Sequence, residues 1–119
     1  MIAAVLSVLA MIAPAHKTSA PPCRRVCRER KEMRRYKRRP LPWCTWGPES
    51  GRGRGEWSMT RYRQPNMSGG TGGGKFQIIV STWRSVGGRG QPHHARPVVQ
   101  ERLARRVRRS QGLGAWVGC

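Results

Sequence analysis

The tryptophan and phenylalanine side chains are confined to the second part of this chain, and their distribution most constrains how it can fold. All of them follow Pro42. They are Trp43, Trp46, Trp57, Phe76, Trp83 and Trp116. A hydrophobic core must therefore be built within residues 43–119, and a length of 119 residues limits the chain to one domain. A domain this small buries only about 60 to 70% of its unfolded surface, so a covalent staple would help to stabilise it.

The N-terminal segment has the composition of a targeting sequence. Residues 1–15 are apolar and end in the small residues Ala-Pro-Ala, which predicts that residues 1–20 are a signal peptide. Because no Lys or Arg precedes His16, a short N-terminal anchor is the alternative. The apolar run is too short to cross a bilayer comfortably. We therefore expect a secreted protein, extracellular or associated with the cell wall, with no stable membrane span.

Residues 21–42 form a basic segment bounded by prolines. Within it, residues 23–39 hold ten basic and two acidic residues, which leaves a local charge of +8. A helix here would place Cys23, Val26 and Cys27 on one side, but arginines interrupt that apolar stripe. We expect a solvated, frayed arm or linker, with a helix as the alternative.

The glycine-rich run NMSGGTGGG, residues 66–74, predicts a loop. Glycine loses more backbone entropy than any other residue when it is fixed in a helix or a strand. Such a loop lets backbone amides approach a ligand closely, and a plain connector is the alternative.

Two segments after this loop have helical periodicity. In the first, four apolar residues recur at i, i+3, i+4 and i+7 before Gly87 and Gly88, with a strand as the alternative. They are Phe76, Ile79, Val80 and Trp83. The second runs from Pro97 to residue 111, with an apolar stripe, a basic outer face and Gly112 as its stop. These patterns predict a mainly α fold, α+β at most, with glycine-rich loops.

The chain has four cysteines, Cys23, Cys27, Cys44 and Cys119. They indicate an oxidising compartment and allow three pairing schemes. Their spacing does not match a zinc site, because Cys23 and Cys27 have no distal pair and the only histidine pair is adjacent. We expect neither a metal nor a cofactor.

Acidic residues are scarce, so few groups are available for carboxylate chemistry. The chain has five, all glutamates: Glu29, Glu32, Glu49, Glu56 and Glu101. The first two lie in the basic arm, and Glu101 is four residues before Arg105 in the last helix, which predicts an ordinary surface pair. Glu49 and Glu56 remain as candidate acids.

Glu49 is the better candidate for a general acid. The nearby Trp43, Trp46 and Trp57 would lower the local dielectric and raise its pKa, whereas Arg52 and Arg54 would oppose that shift. A surface or capping glutamate is the alternative interpretation of Glu49, and it applies more strongly to Glu56.

Five motifs occur in a specific order: WCTWGPESG, GGTGGGKFQI, STWRSVGG, QERLARRV and QGLGAWVGC. In this order they resemble the transglycosylase-like domain of resuscitation-promoting factors, actinobacterial peptidoglycan-lytic proteins of the lysozyme-like superfamily. The resemblance covers residues 43–119 and implies a small lysozyme-like catalytic domain with a cleft for glycan strands. It also implies that Glu49 is the catalytic glutamate and that Gln77, Thr82 and Trp83 line or support the cleft. Of the tryptophans, one or two can serve in substrate binding, and we assign Trp57 and Trp83.

The implied activity is cleavage of the β-1,4 bond between N-acetylmuramic acid and N-acetylglucosamine. A lytic transglycosylase with a single catalytic Glu fits the shortage of carboxylates, and a lysozyme-like hydrolase is the alternative product outcome. The chain departs from the family in two places. Pro48 replaces a cysteine before the glutamate, so Cys44 is expected to pair with Cys119 instead, and Arg52 replaces a small residue.

The net charge of +19 predicts binding to anionic polymers. No recognition helix, finger or RNP-type motif accompanies it, so we expect no specific nucleic acid partner. We expect a monomer that binds peptidoglycan glycan strands and holds anionic cell-wall polymers through its basic arm. A weakened cell-wall-binding module of the same fold and a basic nucleic-acid or membrane-binding protein are the rival functions.

Overall fold

The computed structural model describes residues 3–5, 24–51 and 55–119. Four α-helices form its framework. They are α1 (Arg25–Arg38), α2 (Met59–Tyr62), α3 (Val80–Ser85) and α4 (Pro97–Gln111). Short 3₁₀ turns lie at Trp43–Thr45, Pro92–His94 and Leu113–Ala115. The described part of the chain contains two isolated β-bridges and no extended strand, so the predicted mainly α class is confirmed.

Helix α4 is the centre of the fold, and its bounds agree with the sequence prediction. Pro97 opens the helix, where its missing amide hydrogen is no loss, and Gly112 ends it with φ +71°. Leu103 and Val107 face the core, as their spacing predicted. The other three helices all pack against α4.

The hydrophobic core joins a residue shortly before the first 3₁₀ turn, the segment leading into α3, helices α3 and α4, and the C-terminal segment. Its buried members are Leu41, Phe76, Ile78, Trp83, Leu103, Ala104, Val107 and Trp116. Trp116 donates its indole hydrogen bond to the Phe76 carbonyl at 3.1 Å, which ties the C-terminal segment to the middle of the chain.

The first predicted helix is shorter than its periodicity indicated. Helix α3 begins only at Val80, and Phe76 and Gln77 lie in a turn. Gly73 forms isolated bridges with Pro65 and Ile78, and these contacts hold the chain in a non-helical path. Ile79, the second residue of the apolar series, is half exposed as a result.

The glycine-rich run forms the predicted loop. Gly72 has φ +97°, and a Cβ there would overlap the Ile78 carbonyl. Asn66 organises the other side, accepting hydrogen bonds from the backbone amides of Ser68 at 3.0 Å and Gly70 at 2.8 Å. The glycines are therefore needed where the loop passes against the segment that leads into α3.

The basic arm is a helix and not a frayed segment. Helix α1 has no buried residue, so apolar packing does not hold it in place. Glu29 binds Arg96 at 2.6 Å and Glu32 binds Arg102 at 2.7 Å, which fixes α1 along α4. Charged contacts between distant parts of the chain explain the order that its weak apolar stripe did not predict.

The predicted Cys44–Cys119 disulfide is present, with a Cα–Cα distance of 5.2 Å. Cys27 is also disulfide-bonded. Nearly all of the predicted signal peptide, together with Cys23, Arg52 and Arg54, lies outside the described residues. The predicted domain boundaries stay a prediction. No helix in the described ranges has both the length and the apolar character needed to cross a membrane.

Candidate active site

A cleft of about 350 Å³ lies between the turn that carries Glu49, the start of α3, the end of α4 and the C-terminal segment. Its described lining residues are Glu49, Gln77, Ile78, Ile79, Thr82, Val107, Gln111, Ala115, Trp116 and Val117. Six of these ten are apolar, and Glu49 is the one ionisable side chain among them. The cleft therefore surrounds a single carboxyl group with mostly apolar and uncharged polar side chains.

The turn that presents Glu49 follows the 3₁₀ turn Trp43–Thr45 directly. Gly47 packs so closely on the Trp43 indole that a Cβ would overlap the ring. The Ser50 amide and hydroxyl both donate to the Trp46 carbonyl, at 3.2 and 2.9 Å. The chain around Pro48 is accordingly a tight turn and not an α-helix, in line with the donor that proline removes.

Burial raises the pKa of the half-buried Glu49 carboxyl above the ordinary glutamate range. The tryptophans expected to produce this shift are not in the cleft, because Trp43 is exposed and Trp46 packs beneath the turn against the core. The aromatic side chain that does line the cleft is Trp116. A raised pKa is what a general acid near neutral pH requires.

Gln77 and Thr82, two of the predicted binding residues, share this cleft with Glu49. The Gln77 amide is already engaged, because its Oε1 accepts from the Met67 amide at 2.8 Å and its Nε2 donates to the Gly74 carbonyl at 2.9 Å. Gln77 also has φ +47°, an uncommon conformation for a residue other than glycine. Its side chain fixes the glycine-rich loop behind the cleft.

Trp57 and Trp83, the other predicted binding residues, are not brought into the cleft. Trp83 is 1% exposed and donates to the Arg89 carbonyl at 3.2 Å, so it is a core residue that supports the helix carrying Thr82. The Trp57 ring lies over the Lys75 ammonium, with Nζ 3.8 Å from its centroid. Packing contacts with residues distant in the sequence fix the positions of both indole rings, and the local sequence does not reveal these contacts.

The wall formed by Gln111 and the C-terminal segment was not predicted from the sequence. Gln111 lies one helical turn after Val107, and Val117 is fully exposed beside it. The Cys44–Cys119 disulfide brings this segment to the Glu49 turn. The expected disulfide was therefore the one signal that placed the C-terminus at the site.

Glu101 is not in a surface pair, contrary to the prediction. Its side chain is fully buried and contacts Lys75 Nζ at 2.7 Å, Arg105 Nη1 at 2.9 Å and the Tyr62 hydroxyl at 3.0 Å. Lys75 is also fully buried, and desolvation lowers its pKa. Glu56, the second candidate acid, lies 3.6 Å from the same ammonium, which places it with Glu101 in a structural ion cluster outside the cleft lining.

Fold and site together define a small, disulfide-closed helical domain that presents one half-buried carboxyl group in an apolar cleft. The family model described as "Transglycosylase-like domain" matches residues 50–119. The chain belongs to this transglycosylase-like domain family, and the resemblance seen in its motifs is confirmed. The match begins at Ser50, directly after Glu49. The helical framework is consistent with a lysozyme-like fold.

The chain is also similar to proteins named resuscitation-promoting factors. The chain is 41% identical over 46 residues to "Resuscitation-promoting factor Rpf" of Micrococcus luteus, covering 39% of this chain and 21% of that protein. It is 40% identical over 57 residues to "Resuscitation-promoting factor RpfD" of Mycobacterium tuberculosis, strains CDC 1551 / Oshkosh and ATCC 25618 / H37Rv. Those alignments cover 45% of this chain and 37% of the relatives. The chain thus spans less than two fifths of the length of these curated relatives. No solved structure matches the chain significantly.

Proposed function

We propose that this chain is a secreted peptidoglycan-cleaving enzyme in which Glu49 is the single catalytic carboxyl group. Its bond is the β-1,4 linkage between N-acetylmuramic acid and N-acetylglucosamine, and its reaction is that of a lytic transglycosylase. One observation carries the proposal: Glu49 is the one ionisable group among the described residues of an apolar cleft, and burial raises its pKa. Membership of the transglycosylase-like family supports the reaction class.

In the first step, the protonated Glu49 donates its proton to the glycosidic oxygen. The bond from C1 of the muramic sugar to that oxygen breaks, and the bonding electrons stay on the leaving oxygen. The carbonyl oxygen of the sugar's own N-acetyl group stabilises the positive charge at C1, as in substrate-assisted glycosidases. A second carboxylate is not needed for this step.

In the second step, the Glu49 carboxylate acts as a base. It removes the proton from the 6-hydroxyl of the same sugar, and O6 forms a bond to C1 to close an anhydro ring. Glu49 is protonated again at the end, and no water is consumed. A hydrolase would use water in place of O6 and release a reducing end.

The uncharged wall of the cleft supplies contacts for a glycan chain. The half-exposed Ile79 and the exposed Val117 offer apolar surface for a sugar face, and Gln111 and Thr82 offer polar groups beside it. Sugar rings combine apolar faces with hydroxyl rims, which matches this mixture. We assign substrate binding to these residues, with Gln77 acting through the loop that it holds.

The test is digestion of isolated peptidoglycan by the oxidised protein, with mass spectrometry of the soluble fragments. Wild type releases anhydro-muropeptides, and Glu49→Gln releases none. Glu29→Gln removes the same charge on α1, far along the sequence from the turn, and retains the activity. Release of reducing ends by wild type would make the enzyme a hydrolase. Release of nothing, with wall binding intact, would favour a weakened wall-binding module.

The basic surface favours a second property, adsorption to anionic cell-wall polymers. A groove of about 610 Å³ between α1 and α4 is lined by four arginines and a tyrosine, with no acidic residue among them. They are Arg35, Arg38, Arg39, Arg105 and Tyr36. Arg105 also donates to the carbonyls of Tyr36 at 3.3 Å and Arg39 at 3.0 Å, which holds the groove together. We propose that this groove keeps the enzyme near its insoluble substrate.

Cosedimentation with isolated walls at increasing salt tests this adsorption. Changing Arg35, Arg38 and Arg39 to Gln together should lower the slope of log affinity against log salt by about three, about one for each cation. The matched control changes Arg63, Arg84 and Arg89, which are exposed and outside the groove. An equal loss in both variants would show that only the net charge matters. Preferential binding of DNA or RNA with no wall lysis would favour the nucleic-acid rival.

A further inference from the structure

We propose that Arg61 is a positioning residue that holds the Glu49 turn in its catalytic geometry. The inference deepens the proposed function and rests on it for the role of Glu49. Arg61 belongs to the short helix α2 and is only 1% exposed. Arginine is seldom buried to this extent unless its donors are satisfied, so its partners identify what it does.

The Arg61 guanidinium binds the two sides of the Glu49 turn at once. Nη1 donates to the Trp46 carbonyl at 3.0 Å, to the Gly47 carbonyl at 3.4 Å and to Ser50 Oγ at 2.9 Å. Trp46 and Gly47 precede the catalytic carboxyl group in sequence, and Ser50 follows it. One planar group therefore fixes the backbone immediately before and after Glu49.

The same side chain also binds the chain after the Glu-Ser-Gly motif. Its Nε donates to the Gly55 carbonyl at 3.3 Å, on the far side of the Glu-Ser-Gly motif. The guanidinium carbon lies 4.7 Å from the centroid of the Trp46 ring, a cation–π arrangement that restricts its rotation. Nε and Nη1 of the planar guanidinium reach Gly55 and the Glu49 turn at the same time, whereas the compact ammonium of a lysine presents its donors from a single nitrogen.

The local chemistry of the turn explains why an outside donor is needed. Pro48 has no amide hydrogen, and the Trp46 carbonyl is already the acceptor for the Ser50 amide and hydroxyl. Gly47 is buried, so its carbonyl requires a partner from the protein. Arg61 provides that donor, and Ser50, the residue after the proposed acid, links the turn to it.

Arg61 acts on Glu49 through the backbone and not through charge. Among the described residues, no ion pair reaches the Glu49 carboxyl, and burial alone raises its pKa. If the turn loosens, water reaches the carboxyl group and the proton is no longer held at the position of the glycosidic oxygen. Loss of Arg61 should therefore change both catalysis and the titration of Glu49.

The experiment compares wild type with Arg61→Gln, Arg61→Lys and the control Arg63→Gln. Arg63 caps the same helix but is exposed, so its change removes an equal charge without touching the turn. Two quantities are measured: kcat and KM on soluble peptidoglycan fragments, and the Glu49 pKa by ¹³C NMR of labelled glutamate side chains. The Glu49→Gln variant assigns the Glu49 resonance.

We expect kcat to fall on the order of 100-fold in Arg61→Gln with KM unchanged, as for a displaced catalytic group. Arg61→Lys retains the charge and should not restore kcat. In both variants the Glu49 pKa should fall toward its ordinary range, and Arg63→Gln should match wild type in every measurement. If Arg61→Gln does not fold, Arg61→Lys decides the question by the same two readouts.

Two results would overturn the proposal. One is that both Arg61 variants have the same Glu49 pKa and the same kcat as wild type. The other is a loss of stability and kcat with the Glu49 pKa unchanged, since that outcome would make Arg61 a purely structural residue. If wild type itself has no activity, the proposed function fails, but a fall of the Glu49 pKa in the Arg61 variants would still establish the positioning.

Discussion

Cys44 and Cys119 are joined by a disulfide that closes a separation of 75 residues and places the end of the chain beside the Glu49 turn. Gly118 packs near Pro48 and the Cys44 carbonyl, so the bond joins two walls of the cleft. Stability and site geometry are therefore linked through one covalent bond.

Removing this disulfide should destabilise the domain and open the cleft. For a loop of this length, the chain-entropy estimate of the stabilisation is about 4 kcal/mol. We expect the Cys44→Ser, Cys119→Ser double variant to lose that order of free energy of unfolding in urea titrations. A change below about 1 kcal/mol would mean that the two ends of the loop stay together in the variant without the covalent bond.

Breaking the buried ion cluster should be more damaging than breaking a surface pair. Glu101→Gln leaves the buried Lys75 ammonium without its closest carboxylate, and such a loss costs about 3 to 5 kcal/mol. The control Glu29→Gln removes the pair with the half-exposed Arg96, which should cost less than about 1 kcal/mol. Urea unfolding of both variants measures the difference. Equal effects would contradict the buried position of Glu101.

The glycine-rich loop offers a comparison of two glycines with similar backbone conformation. Gly72 and Gly69 have φ values of +97° and +78°, so alanine strains the backbone at both positions, by about 1 kcal/mol or more. A Cβ at Gly72 also overlaps the Ile78 carbonyl, whereas one at Gly69 meets nothing within 4 Å. We therefore expect Gly72→Ala to reduce the thermal midpoint clearly more than Gly69→Ala. A reversed order would argue against the close approach at Gly72.

The half-buried Glu49 should contribute less to the stability of the folded protein as the pH rises. Because burial raises its pKa in the folded state, the folded protein holds the proton more tightly than the unfolded chain. The favourable contribution exists at low pH and is lost as the pH rises from the unfolded pKa through the raised folded value. Glu49→Gln should therefore melt at a higher temperature than wild type near about pH 7 and at a similar temperature near about pH 3. A lower melting temperature of the variant near neutral pH would contradict this sign.

The parts of the fold that depend on local pattern could be predicted from the sequence. Helix α4 was predicted with its bounds because Pro97, Gly112 and a regular apolar stripe all act within one segment. The helix assigned from Phe76 onward was too long, because the bridges of Gly73 to Pro65 and Ile78 are tertiary contacts. Helix α1 was underestimated for the same reason, since its ion pairs reach Arg96, which precedes α4, and Arg102 within α4.

The residues of the candidate site could likewise be predicted from the sequence only in part. Glu49, Gln77 and Thr82 follow from motifs that the family carries in order, and the structure brings them to one cleft. The core position of Trp83 and the buried position of Glu101 depend on which side chains meet across the fold. No spacing within the sequence distinguishes a buried Glu101 with Lys75 as partner from a surface pair with Arg105.

The most direct test of the account is to compare the Glu49 pKa with the pH dependence of the reaction in the same protein. The pKa is measured by ¹³C NMR, and kcat/KM for soluble peptidoglycan fragments is measured across the same pH range. We expect kcat/KM to fall at alkaline pH with an apparent pKa equal to that of Glu49, and we expect Glu49→Gln to be inactive at every pH. The assignment of Glu49 as the catalytic acid would be contradicted if the alkaline fall in kcat/KM did not coincide with the Glu49 titration. Activity that persists in Glu49→Gln would contradict it as well.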